Sequence, residues 1–212
     1  TIGTHETLSI YIATFFWELA PFQIGFLTIA NLIGFHLGFF FASVAHIRLD
    51  KRWTIVFSAA GLSIFWSIAV TPSLLGLVLA NRTLALVMFI IFWSVFSSVF
   101  GAVLNISVMS ALADITDEHE VRTGRRQKGI FYSARTFFSK TSNAIGHVVA
   151  VMAIEYYVLL PSGSIQGQVP SDVLFRLGVV EGPFAMVWGL IAALFYAGYR
   201  VDRALYERVQ EQ

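Results

Sequence analysis

The sequence predicts an all-α membrane protein with six transmembrane helices, on the strength of three observations. Of its 212 residues, 57% are hydrophobic and only 13% charged, against about 25% charged in an average soluble domain. The apolar residues gather in runs close to the ~20 that a helix needs to cross a bilayer core. Lys and Arg collect in every second connection, the pattern of short cytoplasmic loops. Other classes are excluded just as directly. The chain has no Cys, which rules out disulfide frameworks, thiol catalysis and thiolate metal sites. A net charge of +1, with the basic residues in short clusters between apolar runs, offers no surface for nucleic acid.

The first span is expected over 8–20, where Pro21 ends it in the turn ELAPFQ. Residues 1–7 before it carry no positively charged leader region, so no signal peptide is read there, and the chain is expected to lack an upstream part. The second span covers 24–45 and the third 54–70, followed by a looser connection with Pro72, Asn81 and Arg82. The fourth covers 84–113, and a charged cytoplasmic loop takes up 114–128. The fifth covers 129–159. A polar loop with two prolines and three glycines fills 161–181, and the sixth span, 183–199, leads into a charged tail over 200–212.

Arg48, Lys51 and Arg52 lie between spans two and three, Arg122, Arg125, Arg126 and Lys128 between four and five, and Arg200, Arg203 and Arg208 after six. The alternate loops hold only Arg82 and Arg176. Both termini are therefore expected in the cytoplasm. Small residues recur every fourth position at Gly34 and Gly38 and at Gly189, Ala193 and Ala197. That spacing lets helix backbones approach closely, and packing is the reading given to it.

The stretch from Ala111 to His147, ALADITDEHEVRTGRRQKGIFYSARTFFSKTSNAIGH, carries the chemistry. At 100° per residue Tyr132, Thr136, Lys140, Asn143 and His147 share about a quarter of the helix circumference, with Ser139 at the edge and Arg135 further round. Lys140 lies eleven residues past Gly129, or roughly 16 Å into the membrane. A charge there costs about 2.5–3.5 kcal/mol or more, so it should face a partner or a watery cavity. A structural ion pair is the alternative, since snorkelling to the interface is a weak account at such depth. Arg135 and Glu155, nearer the helix ends, are explained equally well as interface anchors. His147 is a candidate polar or proton relay, with a hydrogen-bonded structural role weighed more heavily. His36, midway along span two, could join that relay, but a bridge between helices is favoured. Glu18, beside Trp17 and Pro21, reads as structural at the outer interface.

Asp114 and Asp117 close one helix and Arg122, Arg125 and Arg126 precede the next. Salt bridges there would form and break as a cytoplasmic gate closes and opens. The cluster fits no metal-binding pattern, and no phosphate-binding loop, HExxH, GxSxG or potassium-filter motif occurs. The sequence therefore predicts no enzyme, no catalytic residue and no metal site.

The segment LADITDEHEVRTGRRQKGIFYSARTFFSK resembles the signature after the tenth helix of the glycoside–pentoside–hexuronide:cation symporters, the melibiose-permease-like branch of the major facilitator superfamily. Ala113, Asp114, Asp117, Glu120, Thr123, Gly124, Arg126, Gly129, Tyr132 and Lys140 match it in order. THETLSIYIATFFWELAPFQIG is similar to the family's seventh helix and outer turn. The resemblance implies the C-terminal six-helix half of a twelve-helix transporter, with the N-terminal half expected on the same polypeptide. It implies cation-coupled symport of a sugar, glycoside or hexuronide by alternating access in a bacterial inner membrane. The coupling ion, Na⁺ or H⁺, would be bound mainly by the N-terminal half, and no other cofactor is implied. Lys140 matches the family's eleventh-helix lysine, tied to sugar binding and coupling. Thr136 and Arg135 stand along the sugar pocket, and Asp114 and Asp117 match gate acids that pair with the other half. Asn143 would read hydroxyls, with Tyr132 or Trp17 stacking on the sugar ring.

The chain also departs from the pattern. Arg135 stands where melibiose permease has a glutamine, so the substrate is expected to be anionic or differently hydroxylated, and Asn105 replaces a pocket tryptophan of the tenth helix, which argues against galactoside stacking there. HIRLDKRW is a degenerate form of the superfamily's loop motif. A lipid or lysolipid carrier of the same fold, with a cavity open to lipid and lined by Phe, is one rival. A six-span interaction protein dimerising through Gly34 and Gly38 is another.

Overall fold

The computed structural model describes residues 2–77, 81 and 83–198. Arg82 and the tail over 200–212 lie outside the described residues. Among those described there are helices and no strands. The helices are α1 (Ile2–Tyr11), α2 (Pro21–Arg48), α3 (Lys51–Leu74), α4 (Leu84–Thr123), α5 (Lys128–Met152), α6 (Ser171–Val179) and α7 (Ala185–Ala197). π-helical segments prolong α1 through Ile12–Phe16 and α5 through Ala153–Val158, and Val180–Phe184 joins α6 to α7. Four of the resulting helices are long and apolar enough to cross a membrane: Pro21–Arg48, Lys51–Leu74, Leu84–Thr123 and Ser171–Ala197. α1 is short, and the polar stripe on α5 lowers its hydropathy.

Small residues decide which helices meet. α2 buries only Ala30, Gly34, Gly38 and Ala42, one residue per turn, and presses that stripe on α4. A Cβ on Gly34 would strike the Val95 carbonyl, and one on Gly38 would strike the Ala102 side chain. The GxxxG spacing is thus spent inside the chain, which removes the interface that the dimerising rival needed. α3 packs on both α4 and α7, where Gly189 meets Ser63. α1 packs on α5 through Gly3 against the Asn143 backbone and Gly146 against the Thr4 nitrogen. In bilayer surroundings such close van der Waals contact replaces the hydrophobic drive that holds soluble bundles together.

The tightest packing lies toward the Pro21 end, where Leu8, Ile12, Trp17, Leu86, Ile90, Val158, Val173 and Leu177 form one cluster. The wide surfaces left outside are apolar, among them Phe22, Phe26, Phe40 and Phe41 of α2, as lipid contact requires.

α2 and α3 each run three or four residues further at both ends than the sequence reading, with Pro72 inside α3, and three boundaries differ more. α4 runs on to Thr123, so the loop expected over 114–128 shrinks to Gly124–Gln127. The charged residues are compatible with helix because Glu118 pairs with Arg122 one turn later at 2.7 Å, in the favourable acid-before-base order. Gly124, at φ 67°, then stops the helix in the left-handed conformation that glycine tolerates. α6 begins at Ser171, inside the expected polar loop, and α1 already starts at Ile2 rather than at residue 8.

Candidate functional site

α5 is buried at Gly146 and Ala150, in its second half, where α1 covers it. Its first half is largely uncovered. There Tyr132, Ser133, Thr136, Phe137, Lys140, Thr141 and Ala144 line an open groove of about 730 Å³. All seven belong to α5, so the groove runs along one helix and is not a closed chamber. Lys140 is exposed and makes no hydrogen bond or ion pair with the described residues. Its ammonium is therefore available to a hydroxyl or carboxylate entering from outside the chain. Arg135, on the flank, donates from its guanidinium to the Asn105 Oδ1 of α4 at 3.4 Å.

The stripe divides where α1 arrives. Asn143 is half-buried beneath Gly3. His147 Nδ1 lies 2.8 Å from the Thr7 hydroxyl, and its Nε2 lies 3.5 Å from Glu6 Oε2. His147 thus ties α5 to α1 as well as closing the polar stripe.

Two expected site residues lie elsewhere. Trp17 is 7% exposed and sits in the apolar cluster at the Pro21 end. The tight corner after α1 folds its indole inward, so it does not line the groove and has no open face for a sugar ring. His36 donates from Nδ1 to the Leu32 carbonyl of its own helix at 2.7 Å, on the exposed side of α2. Among the described residues it bridges no pair of helices.

At the other end of the bundle the gate acids have partners within this chain. Asp114 accepts from Lys51 at 2.6 Å, joining α4 to α3, and Asp117 accepts from Lys128 at 2.6 Å, joining α4 to α5. Its hydrogen bond to the Asp117 carboxylate holds the exposed Lys128 ammonium above the usual lysine range. Arg52 donates to the Ala197 carbonyl at the end of α7. Arg122 is taken by Glu118, while Arg125 and Arg126 stand exposed in the short connection.

Sequence reasoning missed a further pair, His5 and Glu181. Glu181 falls in the expected polar loop and His5 in the stretch before the expected first span. The structure puts both inside the bundle, with His5 Nδ1 bonded to Glu181 Oε1. The signal available was the apolar run LFRLGVVEGPFAM around Glu181, masked by its neighbouring glycines and Pro183. Among the described residues no three His, Asp or Glu side chains converge on a possible metal ion.

Long apolar helices, internal packing on small residues and a lysine-bearing polar groove on one helix define a helical membrane protein. The comparisons give the family. Residues 1–203 match the family described as MFS/sugar transport protein, and the chain belongs to it. It is also 26% identical over 125 residues to an uncharacterized symporter of Synechocystis sp.. That match covers 56% of this chain and only 22% of the relative's length. No solved structure matches the chain.

Proposed function

We propose that the chain is the C-terminal half of a cation-coupled symporter for a sugar, glycoside or hexuronide, working by alternating access. One observation supports this most: Lys140 projects into the α5 groove beside Tyr132 and Thr136 without a protein counter-ion among the described residues. A lysine placed so deep in a membrane helix needs a polar ligand or water. Sugar hydroxyls suit Lys140 and Thr136, Asn143 lies further along the same stripe, and Tyr132 offers the aromatic face that Trp17 does not.

In this reading all six helical stretches span the membrane, both ends of the segment are cytoplasmic, and the membrane is a bacterial inner one. The loop charges support that orientation. An N-terminal half on the same polypeptide would close the groove and supply most ligands of the coupling ion, Na⁺ or H⁺. Asp114, Asp117, Arg122, Arg125 and Arg126 form the cytoplasmic gate, with Lys51 and Lys128 holding the acids in the conformation described. The protein performs no covalent chemistry. Uptake of labelled sugars, glycosides and uronides into vesicles, with and without Na⁺ and H⁺ gradients, tests the proposal on the intact protein. Gradient-dependent uptake of one class, abolished in Lys140→Ala, is expected. Uptake unchanged in that variant overturns the role of Lys140.

The lipid-carrier reading keeps one supporting observation. The groove is open along α5, and Phe137 and Phe138 stand exposed on that side. Silence across the sugar panel with uptake of lysolipids would favour it.

A further inference from the structure

Glu181 is the charged residue that the bundle hides most completely, 2% exposed and ten residues into the helix that begins at Ser171. One carboxylate oxygen meets His5 Nδ1, and the other, Oε2, is buried with no hydrogen-bond partner. The His5 imidazole lies flat against the Trp66 indole of α3, with ring centroids 3.7 Å apart and planes 17° apart. Its side chain is 25% exposed while that of Glu181 is 3% exposed. His5 is thus the layer between the carboxylate and the outside of the bundle, and its ring is held there by the indole on which it rests.

We propose that His5 and Glu181 form a proton-binding site within this half of the protein, with His5 as the port through which the proton enters and leaves. The pair holds one exchangeable proton. Neutral imidazole with a carboxylic acid, and imidazolium with a carboxylate, are both uncharged overall. Release of that proton to water leaves a single negative charge in a buried site with one oxygen unsatisfied, a state of high cost. Uptake from water restores neutrality. Occupancy is therefore tied to how far the surrounding helices admit water, which is what alternation changes.

The neighbouring ionisable groups are engaged elsewhere. On α1, Glu6 turns to His147 of α5. On α3, Lys51 holds Asp114 and Arg52 holds the Ala197 carbonyl. On α6, Arg176 binds Asp172 at 2.7 Å. Glu155, in the prolongation of α5, and Tyr196 of α7 are exposed. Among the described residues His5 is left as the group that answers the Glu181 charge. α1 carries both contacts in adjacent residues, His5 toward the α6–α7 segment and Glu6 toward α5. A shift of α1 between its two neighbours therefore alters the proton site and the far end of the Lys140 stripe together.

The link to transport rests on the symporter reading above, so the test separates the two. Infrared difference spectra of the intact protein in liposomes, recorded across a pH titration with and without Na⁺, would follow the carboxyl C=O band. A titrating band that is insensitive to Na⁺, absent in Glu181→Gln and displaced along the pH axis in His5→Gln, is expected. His5→Gln keeps the carboxylate, so it carries the test even if Glu181→Gln fails to fold. A spectrum unchanged by either substitution overturns the proposal, and a band moved by Na⁺ rather than by pH assigns the site to a metal cation instead. Sugar uptake is read on the same liposomes. Uptake with no titrating carboxyl sinks the proton site alone, whereas titration without uptake of any sugar sinks the symporter reading alone.

Discussion

The Arg135 guanidinium of α5 donates to Asn105 Oδ1 of α4 at 3.4 Å. Both positions depart from the sugar-pocket pattern that the sequence resembles, and the fold makes them partners. Under the proposed symporter reading, the Arg135 guanidinium beside the groove is a positive charge that a uronate carboxylate can use.

Arg135→Gln should therefore weaken uptake of uronides more than uptake of neutral glycosides. A charge-assisted hydrogen bond contributes about 1.5–3 kcal/mol, so a loss of roughly tenfold or more in apparent uronide affinity is expected. Competition of unlabelled uronide against labelled substrate measures it. An equal loss for neutral and anionic sugars would contradict the assignment.

With no Cys of its own, this half adds no competing thiol to a labelling test at Lys140. Lys140→Cys should react with a membrane-impermeant thiol reagent, and substrate should slow the reaction. Val149→Cys, exposed on α5 beyond the polar groove, should resist the same reagent because lipid surrounds it. Equal reactivity at both positions would show that the groove is not the aqueous path.

The pair Lys128–Asp117 should behave as an electrostatic latch. Its lysine pKa is raised, so its contribution is complete below the ordinary lysine range and disappears as pH climbs through the raised value. The latch is thus intact at neutral pH and fails only under strong alkali. Asp117→Asn should loosen it at every pH, and the exchange Asp117→Lys with Lys128→Asp should restore it. Proteolysis at the Gly124–Gln127 connection reports the state of the latch. A double exchange no better than either single reversal would argue against direct pairing.

Gly38→Leu should destabilise the bundle by about 1–3 kcal/mol, the usual cost of overpacking a tight contact, because a Cβ there already meets the Ala102 side chain. Gly25→Leu, on the same helix with nothing near it, should be silent. Thermal unfolding of the two variants in one detergent decides the matter, and equal melting temperatures would rule out the α2–α4 contact.

Much of this arrangement is local and was legible before any coordinates. Composition and apolar run length set the helical membrane class. The 100° step set the stripe from Tyr132 to His147 on one face of α5, and the spacing of Gly34 and Gly38 set a packing face on α2. Helix ends were harder to read, since Asp117, Glu118 and Arg122 look like loop residues until they pair along the helix itself.

The sequence by itself determined what each helix can bury or expose, because that depends on periodicity within a single segment. Only the tertiary structure decided which residues answer one another: His5 with Glu181, Lys51 with Asp114, Trp17 folded into the core instead of the groove. Those partners lie as many as 176 positions apart, and their meeting depends on which small-residue stripes let two helices close, a relation between segments that no pattern within one segment contains.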